Sequence, residues 1–286
     1  MQDGQGSFDD LLALCPLRAG GFIVTVFGDV AFPGQAELWI GHLIDLCSEL
    51  GISETLVRTA VSRLVAAGQL SGTRRGRKSY YALTPLACAE FERAAQVIYA
   101  PPEERAWRFL FFPGGHKPQV LDQLGMAALS PQLGFGPARG AVPEGALAFT
   151  AYADGAQADL TAMLTQVFAL DSLAQDYRAF GVLADAIARK PSLSPKAALQ
   201  ARLLLTHAWR KIALRDPRLP RSALPDEHPE PVARAAFART YLALCPSAIL
   251  EENAILRLDE TQIHERNQAL AQRQTALQSS RECLSE

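Results

Sequence analysis

The chain has 286 residues, 49% of them hydrophobic and 20% charged, which suits a globular protein of two or three domains with a large core. With 28 Lys and Arg against 30 Asp and Glu, the formal net charge is −2. Overall charge therefore advertises no nucleic-acid partner, and any such signal has to be local.

Five cysteines (Cys15, Cys47, Cys88, Cys245, Cys283) are odd in number and widely spaced, with no CxxC pair. That pattern favours reduced thiols over a disulfide framework or a zinc site. The opening "MQDGQGSFDD" lacks the basic and apolar regions of a signal peptide, and "GFIVTVFG", the longest apolar stretch, is too short to span a bilayer. A soluble, cytoplasmic protein without membrane contact is expected.

In "ELWIGHLIDLCSELGISETLVRTAVSRLVAAG", Trp39, Ile40, Leu43, Cys47 and Leu50 form an apolar helical stripe that ends at Gly51. Ser53 has the chemistry to cap a second helix, in which Val57, Ala60, Val61 and Leu64 fall at i, i+3, i+4 and i+7. The opposite face carries Thr55, Arg58, Thr59 and Ser62, flanked by Arg63. Arginine can pair with guanine edges in a major groove, while Thr and Ser take phosphates or a thymine methyl.

Next comes "GQLSGTRRGRKSYYAL", two strand-like runs around Gly76 with Arg74, Arg75, Arg77 and Lys78 at the tip. Between Thr55 and Tyr81 there are six Lys or Arg and no Asp or Glu. A helix, a three-residue turn, a second helix and a basic hairpin, in that order, read as a winged helix-turn-helix. In that reading Arg63 and the four hairpin cations hold phosphates of double-stranded DNA. A solvated basic loop beside an ordinary helix pair is the plainer alternative.

"APPEER" (Ala100 to Arg105) reads as a linker. Beyond it "WRFLFFPGG", "LGFGPARGAVPEG" and "ALAFTAYAD" look like strands and loops, followed by a helix from about Ala158 to Leu170. From Asp171 the chain reads as helical, broken by "KPSLSPK" and "RDPRLPRSALPDEHPEP". Leu256, Ile263, Leu270 and Leu277 recur every seven residues, but polar partner positions argue for a docked or frayed helix rather than a coiled coil. The expected division is 1–99, 100–170 and 171–286, in an α+β protein.

No GxSxG, P-loop, GxGxxG or HExxH motif occurs, and the five histidines lack metal-ligand spacing. The sequence therefore names no catalytic or metal-binding residue and no resident cofactor.

The run from "GFIVTVFGDVAFPGQAELWIGHLIDLCSELGISETLVRTAVSRLVAAG" through "QLSGTRRGRKSYYALT" resembles the PaaX-type repressors of phenylacetic acid degradation. So do "FERAAQVIYAPPEERAWRFLFFPGG" and "LLLTHAWRKIALRDPRLPRSALPDEHP". The resemblance spans Gly20 to Leu250, with a weaker middle. It implies a winged helix, a ferredoxin-like centre similar to small CRISPR-associated nucleases, and a helical carboxy-terminal domain. It also implies a homodimer released from its operator by phenylacetyl-coenzyme A. Those nucleases carry an aspartate at the end of the first strand, and "WRFLFFPGG" offers none. His228 stands where the family usually has tryptophan, which puts the identity of the ligand in doubt.

For an acyl-coenzyme A effector, His207, Arg210, Lys211 and Arg215 on one helix, together with His228, form the candidate wall. Cations there would meet phosphates beside an apolar slot. The bland alternative is an interior histidine and a solvated basic face. Two other readings stay open: a thioester-handling enzyme with an inert winged helix, and a winged helix used for protein contacts.

Overall fold

A computed structural model describes residues 8–102, 106–152 and 157–282. Most of the opening decapeptide, part of the expected linker and Cys283 lie outside the described residues.

In chain order the elements begin with α1 (Asp9–Leu14), α2 (Ala19–Val26), a π turn (Phe27–Ala31), β1 (Glu37–Trp39), α3 (Ile40–Ser48) and α4 (Glu54–Ala66). β2 (Leu70–Arg75), β3 (Lys78–Leu83), α5 (Pro85–Tyr99), β4 (Trp107–Phe111) and α6 (Pro118–Leu124) follow. Then come β5 (Ala127–Ser130), β6 (Leu133–Pro137), β7 (Leu147–Ala151) and α7 (Gln157–Val167). The rest comprises α8 (Leu170–Ala188), α9 (Pro195–Ala213), α10 (Glu230–Ile255), β8 (Leu256–Arg257) and α11 (Glu260–Glu282). Helices beside two antiparallel four-stranded sheets make this an α+β protein.

The chain packs as two compact units rather than three consecutive segments. One holds the residues up to Pro101 together with Ala179–Lys211 and Pro231 onward. The other holds Pro102–Arg178 and Ile212–Glu230. The return of the late helices to the amino-terminal unit explains the difference from the expected boundaries, because a linear reading cannot register contacts between distant stretches.

In the first unit the sheet order is β2-β3-β1-β8. Trp39 is not helical as the apolar stripe suggested. It ends β1, opposite Tyr80 of β3, because cross-strand pairing there outweighs helical periodicity. β8, absent from the sequence reading, pairs Leu256 with Leu38. The core stacks Trp209 on Phe237 with ring centroids 5.0 Å apart, and the indole Nε1 donates to Ile98 O at 2.8 Å. Cys15, Cys47 and Cys245 are buried there and Cys88 is half-buried. Burial pushes the Cys47 thiol up to about 12, so it stays protonated and inert.

In the second unit the order is β5-β6-β4-β7, all antiparallel, with Phe109 of β4 opposite Phe135 on one side and Phe149 on the other. Leu110, Phe112, Leu121 and Met126 form its core. β5 and α6 were not foreseen. Pro118 opens α6 and Gly125, at φ +63°, closes it. The helix expected from Ala158 to Leu170 stops at Val167, and Ala169 at φ +49° separates it from α8. No helix among the described residues is long and apolar enough to cross a membrane.

Candidate nucleic-acid interface

Gly51 closes α3 in the left-handed region, at φ +74°, a conformation that glycine adopts without strain. Ser53 Oγ then accepts a hydrogen bond from Leu56 N at 3.4 Å and starts α4. Val57, Ala60 and Val61 are buried and Leu64 is half-buried, so α4 is anchored by the expected face. Thr55, Arg58, Thr59, Ser62 and Arg63 are all exposed on the remaining surface. Arg58 Nε pairs with Glu54 Oε1 at 2.7 Å, one turn back along the helix. Arg63 makes no ion pair among the described residues.

The hairpin begins at Leu70, separated from the end of α4 at Ala66 by three residues, of which Gly68 is at φ +71°. Its strands run in register from Leu70 opposite Leu83 to Arg75 opposite Lys78. Gly76 turns the tip at φ +61°, and the Arg74, Arg75, Arg77 and Lys78 side chains are exposed. They are not equivalent. Arg74 Nε donates to Gly76 O at 3.2 Å, bracing the turn. Arg75 Nη2 lies 2.7 Å from Glu37 Oε2 on β1 and its guanidinium sits over the Tyr80 ring. Lys78 Nζ stands 4.2 Å above the Trp39 ring. Arg77 alone of the four has no protein partner among the described residues.

The same unit holds a buried ionic cluster that sequence reasoning missed. Asp29, in the π turn, accepts from Arg202 Nε at 2.9 Å, Arg273 Nη1 at 3.0 Å, Tyr99 Oη at 2.7 Å and Tyr241 Oη at 2.8 Å. Glu252 pairs with both Arg202 and Arg266. Burial alone would raise the Asp29 carboxyl, but the Arg202 and Arg273 charges and the two phenols hold it below the ordinary value. The one signal in the sequence was on α11, where Arg266 and Arg273 lie four residues before Leu270 and Leu277. All four are buried on one face of that helix.

The candidate effector residues divide. His207 is 4% exposed, its ring edge-on to Phe22. Thr25 Oγ1 gives its proton to Gly21 O at 3.1 Å, so it accepts from His207 Nδ1 at 2.9 Å. Burial, with Arg210 and Lys211 nearby, lowers the imidazole to about 4, so it is neutral at pH 7. Arg210 is half-buried and donates to Gly21 O at 3.0 Å, while Lys211 is exposed.

Arg215 and His228 belong to the other unit. Arg215 Nη2 pairs with Asp176 Oδ2 at 2.8 Å on the surface. His228 is buried edge-on to Tyr177 and is held below its ordinary value first by burial. No cluster of three or more metal-ligating side chains occurs among the described residues.

Comparison with known proteins matches this architecture. A solved structure, the uncharacterized protein Rv0674 from Mycobacterium tuberculosis, aligns with a TM-score of 0.54 over 83% of this chain and 98% of its own. At 21% identity that likeness concerns the fold alone. The transcriptional repressor PaaX of Escherichia coli (strain K12) is 29% identical over 263 residues, 82% of this chain and 83% of the relative. That relative carries the name of a repressor, not of an enzyme. The PaaX-like protein pattern matches residues 18–86, and the PaaX-like protein C-terminal domain pattern matches residues 168–250. Since these two stretches cover more than half of the sequence and the relative aligns along most of its length, this chain belongs to the family of PaaX-like proteins.

Proposed function

We propose that the chain is a winged-helix transcriptional repressor that binds double-stranded DNA. The observation that carries this reading is the exposed face of Thr55, Arg58, Thr59, Ser62 and Arg63 beside a basic hairpin, with no acidic residue from Thr55 to Tyr81. α4 enters a major groove, with Arg58 on a base edge and the hydroxyls around it. Arg63 and Arg77 hold phosphates, because neither is paired with a carboxylate among the described residues. Family membership supports a role in phenylacetate catabolism, with release by an acyl-coenzyme A such as phenylacetyl-coenzyme A. The repressor acts as a homodimer in the cytoplasm, its two helices reading half-sites one or more DNA turns apart.

The second unit fits the ferredoxin-like reading in strand order and in the helical crossover through α6. Its other crossover, residues 138–146, is a loop in place of a helix.

Fluorescence anisotropy on labelled DNA from upstream of the protein's own gene, with and without phenylacetyl-coenzyme A, tests the proposal. The expected result is sequence-preferring binding that survives competitor DNA, weakens with salt and is reversed by the thioester. Equal affinity for all DNA tried would make the basic face a protein-docking surface.

A further inference from the structure

In the first unit, α2, α5 and α9 enclose a cavity of about 210 Å³. Val24, Phe91, Ala94 and Ile98 give it apolar walls, Asp29 and Tyr99 line its inner side, and Thr206 and Arg210 enter from α9. Arg202, Thr206 and Arg210 are spaced four residues apart, so one helix face carries a polar column. Arg202 is consumed by Asp29 and Glu252. The other two are not consumed. Thr206 is 2% exposed and its hydroxyl has no hydrogen-bond partner among the described residues. Among the described residues Arg210 Nε is likewise buried without an acceptor, and its guanidinium bonds only Gly21 O.

Glu90 lines the exposed rim and forms no ion pair with Arg210 among the described residues. A partly buried cation without a carboxylate, next to an orphan hydroxyl and an apolar slot, is an incomplete site. What completes it is an anion with two acceptor oxygens on an apolar body. The volume is below the ~300–1,000 Å³ of pockets that enclose drug-sized molecules, so the ligand is small.

We infer that this cavity binds a small organic monocarboxylate with an aromatic or branched body, its carboxylate held by Arg210 and Thr206. The inference goes beyond the repressor reading and gives it a location for regulation. Gln69, at the cavity edge, joins α4 to β2, and α5 continues directly from the hairpin.

The test is calorimetric titration of the full chain, without DNA, with benzoate and phenylacetate. Acetate and benzyl alcohol serve as controls lacking the body or the charge. The aromatic acids bind and the controls do not. Arg210→Met lowers affinity about ten- to hundredfold and Thr206→Val about two- to tenfold, from the loss of hydrogen bonds to a charged group. Ala94→Phe fills the cavity and abolishes binding, while thermal unfolding confirms that each variant folds.

Phenylacetyl-coenzyme A is the second arm. The acyl end of the thioester carries no carboxylate, so the free acid stays bound in its presence, and competitive displacement of the acid by the thioester overturns the inference. Absence of binding by either acid at millimolar concentration, or affinity unchanged in Thr206→Val and Ala94→Phe, overturns the inference. DNA binding is measured separately, so failure here leaves the repressor reading intact and the reverse also holds.

Discussion

Arg75 Nη2 meets Glu37 Oε2 at 2.7 Å, so a cation at the hairpin tip is tied to the strand that β8 closes from the other side. The hairpin charge is thus partly neutralised in cis. Glu37→Gln releases Arg75 to a phosphate. Binding to matched and unrelated DNA strengthens alike, and the slope of log affinity against log salt steepens by about 0.9. Arg75→Ala, for the same reason, weakens binding less than Arg77→Ala. Anisotropy titrations at several salt concentrations measure both, and an unchanged slope in Glu37→Gln sinks the idea.

Arg58 is exposed and held along α4 by Glu54 at 2.7 Å. Its guanidinium has the bidentate geometry to read guanine. Arg58→Ala should relax discrimination at one base pair by about 1–3 kcal/mol, whereas Arg77→Ala should weaken all sequences similarly. Titration over matched and singly mismatched operators separates the two. Identical profiles for both variants would refute the division of labour.

These assignments rest on a stretch that was legible because its order is local. Ser53 caps, Val57, Ala60 and Val61 anchor, and Gly76 turns, all within some thirty residues of one another. Trp39 was misread as helical because its strand partner, Tyr80, is forty residues away. Asp29 has no charged neighbour along the chain, while its four partners come from α5, α9, α10 and α11. Periodicity registers which face of α11 is buried only if arginine is allowed inside, and a hydrophobic pattern search does not allow it.

That cluster makes a stability prediction. Asp29→Asn leaves Arg202 and Arg273 buried with one carboxylate, Glu252, among three arginines, and should cost about 3–5 kcal/mol. Tyr99→Phe removes one hydrogen bond to a charged group and should cost about 1.5–3 kcal/mol. Urea unfolding reads both as midpoint shifts at unchanged m. An Asp29→Asn protein as stable as the parent would mean that the cluster is incidental to folding. The sign with pH follows from the depressed carboxyl, whose stabilisation is present above its ordinary value of 3.8 and disappears as pH falls through the lower folded value.

His207 acts in a different window. Its folded value is lowered from 6.5 to about 4, so above pH 6.5 neither state carries the proton and nothing is lost. As pH falls from 6.5 to 4 the unfolded chain takes up a proton that the folded chain refuses. Stability therefore drops through this range and levels below it, by about 3 kcal/mol in all. His228 is shifted the same way in the other unit and adds to the slope there. His207→Asn should flatten the dependence of the urea midpoint on pH between 4 and 6.5 while leaving the acid loss due to Asp29 in place. A slope the same as the parent's would place the charged form of His207 inside the fold, against its neutral hydrogen bond to Thr25.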